Sequence, residues 1–299
     1  MRDAFGQLSS GAAVVPQRLA LDTPAGVSLL MPGYLPEQGD AAAKIVSVYG
    51  GNKARGLPVV SALVVLLDSS TGVPTALLDG TSLTALRTGA ASGLATDMLA
   101  LPGADTVALF GAGVQARTQL EAVRTVRPVR RVRILSRSGR SAAKLAKELE
   151  GVEAEVAGSP AQCLADARIV IAATDSSVPV FPGDLIEPGT HVNAVGSFEP
   201  HTREVDGEFV ARAKVVVDSA EAALVEAGDL IIPIREGLFR SEDIHAELGD
   251  LVRGLRKGRE SASEVTFFKS VGSAAQDVAV AGRVVRRALS LGLGTVVEL

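Results

Sequence analysis

The chain has 299 residues, enough for two domains, and 47% of them are hydrophobic, which supports a large core and excludes a disordered chain. Thirty Lys and Arg against 34 Asp and Glu leave a net charge of −4, without the single-sign field that a nucleic-acid partner requires. The single cysteine, Cys163, excludes an internal disulfide and a thiolate-rich metal site, and the three histidines, His191, His201 and His245, lack ligand spacing, so no metal is expected.

From the N-terminus, extended segments are expected at Gln17–Leu21, Val27–Met31, Lys44–Tyr49 and Val59–Leu67. Turn signals at Thr23-Pro24-Ala25-Gly26, Pro32-Gly33 and Gly50-Gly51-Asn52 separate them. A tight turn at Asp68–Gly72 and a returning strand at Val73–Leu78 make a hairpin, so this part reads as a mainly antiparallel sheet. The longest apolar stretch here is too short for a membrane span, and the first residues lack the apolar core of a signal peptide, so a cytoplasmic protein with no membrane partner is expected. A helix is predicted over Thr81–Leu101, with Leu83, Leu86, Ala90, Leu94 and Met98 on one face and Pro102-Gly103 as its stop.

The next segment carries the strongest local signal. Val107–Phe110 is an apolar strand candidate that breaks into Gly111-Ala112-Gly113-Val114-Gln115-Ala116 and then opens a helical pattern. A strand that turns sharply into a helix needs glycine at the turn, and a second glycine lets the backbone approach a pyrophosphate. A small third residue, here Ala116, lets helix and strand pack closely. The helix N-terminus then offers N–H groups and a positive dipole end to the phosphates. A second strand at Arg131–Ser136 and a helix at Ser141–Leu149 complete a βαβ unit. Where that strand ends, a carboxylate for the ribose hydroxyls would favour NAD, but this chain has Ser136-Arg137-Ser138. That trio favours NADP(H), because a guanidinium and two hydroxyls can receive a 2′-phosphate. The alternative is that Arg137 is one of several solvated arginines, beside Arg133 and Arg140. The cluster Arg124, Arg127, Arg130, Arg131 and Arg133 likewise reads as a solvated helix end.

Further strands are expected at Val152–Val156, Arg168–Ala173, His191–Val195 and Val215–Asp218, with helices at Pro160–Ala165 and from the Ser219 cap to Gly228. Alternating strands and helices imply an α/β fold with a doubly wound parallel sheet, which binds ligands at the carboxyl ends of its strands. Thr174 and Gly196-Ser197 would lie there. A last helix at Ala274–Leu289, with Val278, Val285 and Leu289 on one face, would return the chain to the first domain. The expected division is 1–102 with 275–299, a smaller α+β domain, and 103–274, a Rossmann-type domain.

Several segments together resemble the ornithine cyclodeaminase and μ-crystallin family from near the first residue to the last. They are Met31–Tyr34, Lys44–Tyr49, Gly56–Pro58, Leu78–Gly80, Leu83–Thr88, Gly111–Arg117, Asn193–Ser197, Val217–Ser219, Gly228-Asp229, Ala246–Gly249 and Phe268–Gly272. The resemblance implies a homodimer whose first domain supplies the dimer interface and the substrate pocket. It also implies a substrate α-carboxylate held by Arg18, Lys44 and Arg87, and an acid/base aspartate at Asp229, with Lys44 sharing that duty. Two guanidinium forks and an ammonium suit a planar carboxylate, and a carboxylate at Asp229 could exchange protons with an amine or imine nitrogen. Without the resemblance, Arg18 reads as a surface charge and Asp229 as a turn residue. For the cofactor it implies Thr88, Gly111, Ala112, Gly113, Val114, Gln115, Ser136, Arg137, Ser138, Thr174, Val195 and Lys269.

The chain starts inside the family's usual first helix. It also departs from the cyclodeaminases before Met31-Pro32, where they carry a glutamate for the substrate's second amine and this chain has Leu29-Leu30. An apolar pair does not favour a distal ammonium. The expectation is therefore an NAD(P)-dependent oxidoreductase, NADP(H) preferred, acting on the C–N bond of a small α-imino or α-amino acid, either as a cyclic ketimine reductase or in the manner of an alanine dehydrogenase. The alternatives are a redox-neutral ornithine cyclodeaminase giving proline and ammonia, and a non-enzymatic binder of NADPH and a carboxylated ligand of the μ-crystallin type.

Overall fold

The computed structural model describes residues 1–297. In chain order its elements are α1 (Arg2–Ser9), β1 (Leu19–Thr23), β2 (Gly26–Leu35), β3 (Asp40–Val48), β4 (Val60–Asp68), β5 (Pro74–Asp79) and α2 (Gly80–Leu99), followed by β6 (Thr106–Phe110), α3 (Val114–Val126), β7 (Arg131–Leu135), α4 (Gly139–Glu148), β8 (Glu153–Val156), α5 (Pro160–Leu164) and β9 (Ile169–Ala172). Then come β10 (His191–Ala194), α6 (Gly207–Arg212), β11 (Lys214–Val217), α7 (Ala220–Glu226), α8 (Gly228–Arg235), β12 (Ala246–Glu247), α9 (Leu248–Val252), β13 (Thr266–Lys269) and α10 (Ala274–Ser290). Two compact units result among the described residues: residues 3–87 with 273–297, and residues 88–272. The first division falls inside α2, the helix whose end had marked the expected boundary. None of the described helices is long and apolar enough to cross a membrane.

The first unit is a five-stranded antiparallel meander, β1 to β5 in order. Side chains alternate between its faces. Leu35, Ala42, Val64 and Leu66 pack with Ala275, Val278 and Ala281 of α10, and Leu29, Met31 and Val46 cluster with Ala274. Pro32-Gly33 is not a turn. Both residues lie in β2, opposite Ala43 and Ala42, and the chain reverses instead at residues 36–39. Glycine stands at 33 because α10 crosses there: a Cβ would sit 3.0 Å from Val278 and 3.2 Å from the Ala274 Cβ. Only the first half of α10 is buried, ending at Gly282, so Val285 is half-buried and the predicted face residue Leu289 is exposed. Leu86, on the predicted face of α2, is also exposed, while α2 beyond it is buried on most sides.

The second unit holds an eight-stranded sheet in the order β12-β11-β13-β10-β9-β6-β7-β8, and its strand pairs are parallel. Strands β6, β9 and β10 are buried along their whole length, as a sheet covered by helices on both faces requires. One face carries an aromatic chain, Phe110 to Phe181 to Phe209 to Phe267, at centroid separations of 5.0, 6.2 and 5.2 Å. Arg127 is not solvated. It is buried, and its guanidinium donates to the carbonyls of Thr96, Asp97, Ala100 and Leu101, closing the C-terminus of α2 where partial negative charge collects. His191 is a neutral core residue bonded to Thr266 and Asn193, its pKa pushed by burial down to about 3.

Candidate active site

Lys44 lies on β3 between Met31 of β2 and Val64 of β4, and Arg87 lies on α2. Sheet and helix place both cations against one carboxylate. Asp277, in the first turn of α10, sits 2.6 Å from Lys44 Nζ and 3.0 Å from Arg87 Nε. All three side chains are buried. Burial pushes the Lys44 ammonium down to about 8; Arg87 and Arg18 push the same way, and Asp277 opposes them. Arg18 stands half-buried immediately before β1, and its charge adds to the lowering of the Lys44 pKa. Gln276 Oε1 accepts a 2.8 Å hydrogen bond from Arg87 Nη1. Two cations against one internal carboxylate leave a net positive charge for one further anion.

In the second unit, Gly111 adopts φ +105°, a conformation only glycine takes without strain, and a Cβ there would collide with the Ala173 carbonyl. At Gly113 a Cβ would meet nothing within 4 Å, so the backbone is open to a close ligand. Gly113 is also the N-cap of α3; no side chain caps that helix and no acidic residue stands in its first turn. The N–H groups around Val114 and Gln115 thus suit phosphate, and the residues present fit a dinucleotide. Ser136, Arg137 and Ser138 follow β7, as expected. The Arg137 guanidinium lies 3.0 Å from Asp175, and both side chains are exposed.

A second buried charge group lies at the strand ends of this unit. Asp229, in the first turn of α8, accepts from the Glu204 and Val205 N–H groups through Oδ1, at 2.6 and 3.0 Å, and its Oδ2 lies 2.7 Å from Lys269 Nζ. Lys269 ends β13 and also donates to the Ser197 carbonyl at 2.6 Å. Asp218 pins the following chain by accepting from Ser270 Oγ and from the Val271 and Gly272 N–H groups. Glu204 joins two strand ends, accepting from Thr174 N and Oγ1 and from Gly196 N at 2.6 to 2.7 Å. Burial raises its carboxyl pKa and Asp229 adds to that, while Lys269 and the Thr174 donors oppose it.

The fold thus brings Lys44 together with Arg87 and Arg18, and Asp229 together with Lys269. Thr174 is tied to the strand end after β10, where Val195 lies. Arg137 contacts Asp175 across the strand ends. Sequence reasoning missed Asp277, Gln276, Glu204 and Asp175. The first two had a signal, as a polar pair inside an otherwise apolar helix start, Ala274-Ala275-Gln276-Asp277-Val278. The other two had none, because their partners come from other strand ends.

A Rossmann-type sheet with a glycine phosphate turn, in a chain that also carries a buried cationic site, defines a nicotinamide-dinucleotide oxidoreductase. Residues 1–292 match the ornithine cyclodeaminase/mu-crystallin family, and the chain belongs to it. It is 40% identical over 301 residues to the delta(1)-pyrroline-2-carboxylate reductase of Bacillus cereus, covering 99% of this chain and 92% of that one. Among solved structures it resembles the Thermococcus litoralis delta(1)-pyrroline-2-carboxylate reductase in complex with NADH and L-proline, with TM-score 0.96, 43% identity and coverage of 99% and 93%. It also resembles an archaeal alanine dehydrogenase dimer with bound NAD, with TM-score 0.94, 36% identity and coverage of 100% and 92%.

Proposed function

We propose that this protein is an NAD(P)H-dependent reductase of small α-imino acids, with a cyclic ketimine such as pyrroline 2-carboxylate as the preferred substrate class and amination of a 2-oxo acid as a related activity. The observation that carries this reading is the buried Lys44–Arg87–Asp277 group, whose residual positive charge suits one carboxylate. Residues 1–102 with 275–299 take the substrate and form the dimer, and residues 103–274 take the dinucleotide. Held at the Gly111–Gln115 turn, a nicotinamide dinucleotide would supply the hydride for an imine carbon. Lys44, Arg87 and Arg18 hold the substrate carboxylate and so fix Cα, which converts binding energy into orientation. Asp229 manages the proton at the imine nitrogen, with Lys44 sharing acid/base duty. Lys269 positions the Asp229 carboxylate through their 2.7 Å contact, and Glu204 keeps the strand ends at Thr174 and Gly196 in register.

Apolar surroundings support a substrate without a second charge. Leu29 and Met31 lie on the α10 face of β2, while Leu30 points to the other face, so the site side of that strand offers no partner to a distal ammonium. This disfavours a cyclodeaminase activity on ornithine. For the cofactor, NADP(H) is preferred over NAD(H): β7 ends without a carboxylate, and the exposed Arg137–Asp175 pair is too weak to keep Arg137 from a 2′-phosphate. A homodimer is supported by the open face of the meander. There Leu19, Leu30, Ile45 and Leu63 stand directly opposite one another on four strands, each 39% exposed or more.

The test is absorbance of NADPH and NADH with pyrroline 2-carboxylate, with pyruvate plus ammonia, and with ornithine. Cofactor oxidation with the first, faster for NADPH, is expected. Proline formed from ornithine without net cofactor change would replace this reading with the lyase.

A further inference from the structure

We propose that Gln276 is a substrate-binding residue, whose side-chain N–H donates to the carboxylate that Lys44 and Arg87 hold; this rests on the imino-acid reading above. The side chain is fully buried at the start of α10. Its orientation is settled by chemistry: every guanidinium nitrogen is a donor, so the atom facing Arg87 Nη1 must be the amide oxygen. Nε2 is then left buried with no hydrogen-bond partner. Buried polar groups are nearly always paired, so one that is not calls for an explanation, and beside two cations that hold an anion the carboxylate of a ligand supplies it.

Asp277, the adjacent carboxylate, does not complete it, because its oxygens face Lys44 and Arg87 Nε. A second carboxylate held by the same two cations would bring an acceptor to this corner of the site. It has oxygens enough for an ammonium, a guanidinium edge and an amide N–H together. It would also balance the residual positive charge. Gln276 is thereby distinguished from a residue that only steadies Arg87, since steadying uses the oxygen alone.

Two measurements test this. The first is a heteronuclear spectrum of protein labelled with 15N-glutamine, with the Gln276 side-chain amide assigned by its absence in Gln276→Met, during titration with pyrrole-2-carboxylate, a planar ring carboxylate that cannot be reduced in the same way. The Gln276 NH2 pair should shift saturably with the ligand, and the Gln7 pair on α1 should not. The second is Gln276→Glu, which keeps an acceptor for Arg87 but replaces the donor with an anion. KM for pyrroline 2-carboxylate should rise by on the order of 30-fold, from loss of a charge-assisted hydrogen bond plus repulsion, with KM for the nicotinamide cofactor within about twofold. Saturable binding elsewhere in the spectrum with the Gln276 amide unmoved would overturn the proposal. So would an unchanged KM in Gln276→Glu. No saturable change anywhere would overturn the imino-acid reading itself, and this inference with it.

Discussion

Raising the pH should switch off substrate capture through Lys44 before it harms the fold. Lys44 must be protonated to attract a carboxylate, and burial beside Arg87 lowers its pKa to about 8. In kcat/KM, which reports the free enzyme, a descending limb is therefore expected near pH 8. One charge-assisted hydrogen bond is worth roughly 1.5–3 kcal/mol, so the limb should span a factor of roughly 10 to 150. The substrate imine also titrates, and Asp277→Asn separates the two. Asp277 holds the Lys44 pKa up, so removing its charge moves an enzyme-borne limb to lower pH and leaves a substrate-borne limb in place. Stability runs the other way. Between about 8 and the ordinary 10.5 the unfolded lysine binds a proton that the folded one does not, so stability from this group rises with pH, by about 3 kcal/mol in all. Urea unfolding of the parent against Lys44→Met across that range reads this directly. A kcat/KM flat from about pH 6.5 to 9.5, or a limb that moves up in Asp277→Asn, would show that Lys44 does not capture the carboxylate.

Asp229→Asn should lower kcat by roughly 100-fold or more while the dissociation constant for NADPH, read by fluorescence titration, stays near that of the parent; an unchanged kcat removes Asp229 from the proton transfer. Arg137→Ala should weaken NADPH binding by roughly 10- to 150-fold and NADH binding by much less, because only the 2′-phosphate contact is lost; equal losses would contradict a role in cofactor choice. Ile45→Glu, in the middle of the open apolar row, should shift a dimer to monomer in sedimentation experiments, and an unaltered dimer would place the interface elsewhere.

Legibility followed locality. The glycine turn was readable because backbone geometry alone demands Gly111, and most strands of the meander because turn signals bound them. Pro32-Gly33 misled because a proline-glycine pair usually turns the chain; here it lies within β2, where glycine leaves room for α10. Strand β13 went unread, being four residues buried on both faces with no alternation to betray it. Arg127 counted as one of five surface arginines, since nothing in its neighbourhood shows that it closes the end of α2. The site divides in the same way. Lys44 and Arg87 were named through the family resemblance, which supplied their roles. Asp277, which sets their electrostatics, comes from the last helix, and only the fold brings it to them.

Lys44 and Arg87 should hold the carboxylate of a substrate whose imine carbon receives hydride. Pyrroline 2-carboxylate should be incubated with NADPH carrying deuterium at the transferable C4 position, and the product examined by mass spectrometry and NMR. Proline bearing one deuterium at Cα, formed one for one with oxidised cofactor, is the predicted result. Unlabelled product, or no product while ornithine is converted to proline with no net cofactor change, would contradict it.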